Sequence, residues 1–173
     1  MAYTDNIIPT MTSATAPSGV VSASSAGASQ DAWKAFDHLN GAIAVNAWFA
    51  APGTTGWVGY QFPTAHVANR YAVTTANNGT TPRAPNTWTF KGSDNGTTWV
   101  TLDTQTNITD WATSSNVRKV FDFANSTAYA YYRLDITASN DATYVGVGEL
   151  EMMETAVFFP VIGSSIIRGM GAR

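Results

Sequence analysis

Between Thr87 and Leu102 the chain has little choice but to double back on itself. Thr87-Trp88-Thr89-Phe90-Lys91 alternates large apolar and polar side chains at the period of a half-buried strand, and Trp99-Val100-Thr101-Leu102 resumes as a second strand. Asp94-Asn95-Gly96 lies between them. Asp and Asn bond their own backbone, and Gly accepts φ > 0 without a Cβ penalty, so these residues write a turn. Similar segments recur along the chain. Trp57–Phe62 and Arg70–Thr75 read as strands with a turn around Pro63. Val117–Phe123 puts Phe121 and Phe123 on one face, and Tyr131–Thr137 points Tyr132, Leu134 and Ile136 inward with Arg133 and Asp135 opposite. Tyr144–Met153 closes the series, and a first strand is expected over 19–24, where Val20-Val21-Ser22-Ala23-Ser24 stands. Asp31–Asp37 is long enough for one helical turn. Many short strands with almost no helical period indicate an all-β, antiparallel sandwich or barrel and argue against an α/β fold.

Composition narrows what such a sandwich can do. Only 12% of residues are charged and the net charge is −3, so no basic face is expected for nucleic acid. No cysteine is present, which removes thiolate zinc sites and disulfides and favours a reducing compartment. The two histidines, His38 and His66, form no pair at metal spacing. Neither a signal peptide at Met1–Asp5 nor an apolar run near the roughly 20 residues of a membrane span is read, so no membrane insertion is expected. No nucleophile elbow or phosphate loop occurs, and the expectation is a non-enzyme. At 173 residues one domain is expected: an N-terminal extension over 1–18, the sandwich over 19–154, and an apolar C-terminal tail over 155–173. That tail, with Ala156-Val157-Phe158-Phe159-Pro160-Val161-Ile162, reads either as a last strand laid back on the domain or as an assembly contact.

The hairpin has company that carries a resemblance. Trp33-Lys34-Ala35-Phe36-Asp37 and Trp48 precede it; Tyr132-Arg133-Leu134-Asp135-Ile136 and Gly148-Glu149-Leu150-Glu151 follow it. In this order and spacing, over roughly residues 20–153, the chain resembles the discoidin or coagulation factor 5/8 C-type family. That family includes many carbohydrate-binding modules with a galactose-binding-like, jelly-roll β-sandwich. The resemblance implies a non-catalytic module that meets glycans through loops at one end, here 39–52, 77–85 and 139–144. By position it implies Arg83 and Asn86 as groups gripping sugar hydroxyls and Tyr144 as a stacking plate, with Asn77 and Trp111 as further ligand-binding candidates. Trp33, Trp48, Trp57, Trp88 and Trp99 fall at packing positions. The histidine that often follows the Trp48 position is missing, since Trp48-Phe49-Ala50-Ala51 stands there, so galactose specificity does not transfer. The resemblance also implies a structural calcium ion held by Asp37 and Glu149, with Asn40 and the Lys34 backbone carbonyl adding oxygens; hard oxygen donors suit that ion. The chain departs from the pattern in a longer interval from Asp37 to Trp48, in Asn46 where a ligating Thr is common, and in His38 where Gly is frequent.

The opening Ile7-Ile8-Pro9-Thr10-Met11-Thr12-Ser13 is similar in style to bacteriophage tail or capsid accessory proteins. This implies a virion protein assembled in the host cytoplasm, with other virion proteins as partners and a homo-oligomer supplying avidity for a cell-surface or capsular glycan. The alternative is a structural decoration protein that binds no sugar and docks through its C-terminal tail.

Overall fold

The structure is a computed structural model that describes residues 2–39, 46–76, 83–111 and 116–156. Ten strands are present among them: β1 (Val20–Ala23), β2 (Trp48–Ala50), β3 (Gly56–His66), β4 (Ala68–Thr74), β5 (Pro85–Ser93), β6 (Val100–Gln105), β7 (Arg118–Asp122), β8 (Tyr129–Ser139), β9 (Val145–Val147) and β10 (Glu149–Glu154). They form a five-stranded sheet β1-β3-β8-β5-β6, a three-stranded sheet β10-β4-β7, and a β2-β9 pair. Every pairing is antiparallel. The all-β sandwich expected from the alternating segments is therefore the observed fold.

The turn between β5 and β6 closes as its chemistry dictates. Asn95 Oδ1 accepts the N–H groups of Thr97 (2.9 Å) and Thr98 (2.8 Å), Ser93 Oγ accepts that of Gly96 (2.9 Å), and Gly96 takes φ +70°. A single 3-10 turn, Ala32–Phe36, follows Asp31 and buries Ala35 and Phe36.

The core lies between the two larger sheets and is largely aromatic. Tyr71 of β4 stacks on Phe90 of β5 at 4.3 Å, and Phe90 stacks on Tyr132 of β8 at 5.7 Å. Large rings supply much buried area, but each polar tip needs a partner. Trp88 Nε1–H donates to Tyr71 Oη (2.8 Å), which donates on to Asp103 Oδ2 (2.7 Å). Tyr132 Oη donates to the His66 carbonyl (2.7 Å), and Trp48 Nε1–H to the Ser25 carbonyl (2.7 Å).

Three expectations are corrected here. Pro63 does not turn the chain: β3 runs through it to His66, with a register irregularity between Gln61 and His66, and the reversal comes at Val67. A proline inside a strand is tolerated at such an irregularity because no ladder hydrogen bond needs its missing N–H. Nor is the stretch 1–18 merely an extension. Thr4 and Ile7 N–H donate to the Glu154 and Met152 carbonyls (2.9 and 2.8 Å), covering the open edge of β10, and Ile8 and Met11 are each 1% exposed. Finally, the tryptophans divide. Trp48 and Trp88 are fully buried and Trp33 packs against the core, but Trp57 and Trp99 lie outside it. Trp57 pairs with Asp135 across β3 and β8, on the solvent side of the sheet, because its neighbour Val58 takes the inward position. Of the tail, only residues 155–156 are described, tied to the N-terminal segment by Ala156 N–H on the Ala2 carbonyl (2.9 Å); the assembly-contact expectation otherwise lies outside the described residues.

Candidate functional site

Alternation along β2 sends Trp48 into the core and leaves Phe49 facing the loop end of the sandwich, where it packs with Ala47, Ala76 and Tyr144 in a small separate cluster. The short β2-β9 pair is the platform of this end. Gly146 N–H donates to the Arg83 carbonyl (2.7 Å) and Val145 N–H to the Gly53 carbonyl (3.1 Å), and Gly53 bridges Tyr144. The loop segments before β3, before β5 and before β9 thus meet at one place.

The Arg83 guanidinium sits 4.6 Å from the Tyr144 ring centroid and 5.6 Å from that of Phe49. At these distances the cation is drawn to the ring quadrupoles. Tyr144 is itself oriented from behind. Asp141 Oδ1 accepts the N–H groups of Thr143 and Tyr144 (both 2.8 Å), and Ser139 Oγ donates to the Tyr144 carbonyl (2.7 Å). Arg83 and Tyr144 are half-buried, so part of each faces solvent. The arrangement is a preoriented aromatic plate beside a guanidinium, able to stack a flat apolar face and bond hydroxyl or carboxylate oxygens.

Arg83 and Tyr144 are thus brought together, whereas the other ligand candidates are not. Asn86 is engaged within the protein: its Nδ2–H donates to Asn140 Oδ1 (3.1 Å) and its Oδ1 accepts from Thr87 Oγ1 (2.9 Å). Asn140 in turn donates to the Pro85 and Ile108 carbonyls (3.1 and 2.9 Å), so this amide pair pins the base of the loop that carries Arg83. Trp111 is 5% exposed and its Nε1–H donates to the Pro85 carbonyl (2.9 Å). It is a core residue, not an exposed stacking plate; its indole shares the Pro85 carbonyl with the Asn140 amide. Asn77 lies outside the described residues. Phe49, 3% exposed, is the buried support of this pair that sequence reasoning missed. Its signal was available in the alternation of Trp48-Phe49-Ala50, which must send one of the two rings away from the core.

The calcium candidates sit at the edge of the three-stranded sheet. Asp37 caps the 3-10 turn and is 4% exposed; Glu149 opens β10 and is 1% exposed. Glu149 Oε2 accepts the His38 N–H (3.0 Å), and Asp37 Oδ1 accepts that of Leu39 (2.9 Å), so both carboxylates address the same three-residue turn. Burial pushes the Asp37 carboxyl above its usual range, the mark of an anion short of compensating charge. His38 adopts φ +59°, which explains why glycine suits this position. Two buried carboxylates converging on one turn are a donor set that suits a hard divalent cation. Among the described residues no group of three or more His, Cys, Asp or Glu could hold a metal, so backbone and amide oxygens would have to complete the shell. The Lys34 ammonium donates to the Ser29 carbonyl (2.6 Å), and Asn40 lies outside the described residues.

No protein-family profile and no curated protein matches the sequence. Solved structures do match in fold. The chitosan-binding module 1 of a chitosanase/glucanase from Paenibacillus sp. IK-5 superposes with a TM-score of 0.59 at 22% identity, covering 78% of this chain and 93% of that one. The family 32 carbohydrate-binding module of Clostridium perfringens NanJ, solved with galactose, gives 0.64 at 15% identity, covering 79% and 93%. The lectin domain of lectinolysin, solved with Lewis B antigen, gives 0.66 at 13% identity, covering 84% and 99%. At these identities the shared property is the antiparallel β-sandwich fold itself.

Proposed function

We propose that this chain is a non-catalytic carbohydrate-recognition module that binds a surface glycan through the loop end, with Tyr144 as the ring face, buried Phe49 beneath it and Arg83 as the polar grip. The observation that carries the reading is the Arg83 guanidinium held 4.6 Å from the ring of Tyr144, where three loop segments meet. A sugar offers the matching surface: an apolar C–H face with hydroxyls around its rim, suited to one aromatic plate and a few fixed polar groups. The neighbours in fold support this, since the NanJ module was solved with galactose and the lectinolysin domain with Lewis B antigen. A single such contact is weak, and we place the module on a multivalent virion surface, where copies act together. That setting draws its support from the style of the opening residues 7–13.

The same reading assigns a structural calcium ion to Asp37 and Glu149, with Asn40 and the Lys34 carbonyl as further donors. The ion would tie the turn after the 3-10 segment to the first residue of β10, and the chain's own groups do the glycan binding.

The test is a glycan array probed with a multimerised form of the protein and with Arg83→Ala and Tyr144→Ala. Binding to a defined glycan set that both substitutions abolish, in variants that melt cooperatively, is the expected result. An array blank for the parent, or a signal untouched by either substitution, refutes the loop-end assignment.

A further inference from the structure

The solvent side of the five-stranded sheet carries a second aromatic arrangement that the loop-end site does not use. One face of an antiparallel sheet ordinarily meets water with polar residues. Here Trp57 of β3, Tyr131 of β8 and Trp99, just before β6, surround a cleft of about 140 Å³. Arg133 runs between the two indoles, its guanidinium 4.1 Å from the Trp99 ring and 5.2 Å from the Trp57 ring. Asp135 holds that guanidinium at 2.7 Å and is itself paired with Lys91 at 2.6 Å. The rings are therefore locked before any ligand arrives, which lowers the ordering cost of binding.

Gly59 forms the floor. A Cβ there would lie 2.7 Å from the Arg133 Cβ and 2.6 Å from the Tyr132 carbonyl, so the bare backbone keeps the floor low. Ser22 lines one side. Among the described residues the Ser22 hydroxyl and the Tyr131 phenol have no side-chain partner, leaving hydrogen-bonding groups beside the rings. Arg133 and Lys91 are both engaged with the one carboxylate of Asp135, so the ring faces and these hydroxyls are the groups turned to a ligand.

We propose that this cleft is a second carbohydrate site, independent of the loop end, seating one neutral pyranose unit of a longer glycan against Trp99 and Trp57. Its volume is below that of pockets enclosing drug-sized ligands, as suits a single ring of a chain lying across an open sheet. The flanking units of that chain extend over the threonine-bearing outer faces of β5 and β6. With the loop end, the module would hold two points of one glycan or bridge two chains.

The experiment is affinity gel electrophoresis of the full chain in gels containing a neutral polysaccharide (β-glucan, galactomannan or xylan), with acidic alginate as the charged control. The Arg83→Ala protein, which lacks the loop-end grip, is the starting point. Retardation on at least one neutral polysaccharide is expected to persist in it. Adding Trp99→Ala should weaken the interaction by about tenfold or more, the effect of losing a central aromatic anchor. Ser22→Lys, which obstructs the cleft and removes no packing, should do the same and serves if Trp99→Ala does not fold. Retardation abolished by Arg83→Ala alone overturns the second site and leaves the loop end standing. Retardation on alginate only, none on any gel, or a lower melting temperature with unchanged retardation in Trp99→Ala and Ser22→Lys also overturns it. The last outcome would make the indole–guanidinium ladder a purely structural brace.

Discussion

Replacing Tyr71 by Phe removes one oxygen atom, and that oxygen joins the two layers of the sandwich. Tyr71 sits in β4 of the three-stranded sheet, fully buried; its hydroxyl accepts from Trp88 Nε1–H in the five-stranded sheet and donates to Asp103 within β6, the next hairpin strand. Burial raises the Tyr71 phenol well above its ordinary value, so it stays a donor at any usable pH. In Tyr71→Phe the Trp88 indole N–H, also fully buried, loses its acceptor; an unsatisfied buried donor costs about 1–3 kcal/mol. Asp103 keeps a hydrogen bond from Gln105 (3.0 Å) and is half-buried, so its loss is at the lower end, roughly 1 kcal/mol. The ring stack on Phe90 survives. The expected destabilisation is about 2–4 kcal/mol, a large share of the roughly 5–15 kcal/mol available to a domain. Urea unfolding followed by tryptophan fluorescence measures it as a midpoint lowered by about 1–2 M at unchanged slope. A double-mutant cycle with Trp88→Phe isolates the pair and should return a coupling of at least about 1 kcal/mol. A loss below about 0.5 kcal/mol, or a cycle without coupling, would falsify the view that this bridge locks the layers.

Other expectations are independent of that bridge. Ile8→Ala should cost about 2–5 kcal/mol in the same assay, since Ile8 is core; a dispensable extension would move stability by less than about 0.5 kcal/mol. Calcium should raise the melting temperature of the parent, reversibly with chelator, and Asp37→Asn should abolish that response. Because burial raises the Asp37 pKa, its contribution to stability is greatest below the ordinary carboxylate value of 3.8 and is lost as pH rises through the folded value. Without calcium at neutral pH, Asp37→Asn should therefore melt at or above the parent, and a lower melting point contradicts the assignment. Asp122 is the opposite case: the hydrogen bond from Arg70 holds its carboxyl below the usual range, so its contribution is present above the ordinary value and disappears as pH falls through the depressed one. Thermal melts between neutral and acid pH should show this limb flattened in Arg70→Met, by a small amount because the pair is exposed.

The fold was legible because its signals are local. Alternation marks which residues of Thr87–Lys91 and Tyr131–Thr137 point inward, and Asp94-Asn95-Gly96 can close a turn without distant help. One acidic pair was also legible, through a resemblance in order and spacing: Asp37 and Glu149, far apart in the chain, do address the same turn. What no local signal carries is which strand lies beside which, and hence what a side chain meets. Trp57, Trp88, Trp99 and Trp111 are alike as letters. Only the sheet order puts Trp88 between the layers, Trp111 beneath the Pro85 carbonyl, and Trp57 and Trp99 on either side of Arg133 in water's reach. In the same way, only the folded chain lays residues 4–7 along β10 or spends the Asn86 amide on Asn140. The physical reason is that alternation and turn chemistry act over a few residues, whereas burial and hydrogen-bond partners are set by segments brought together from across the chain.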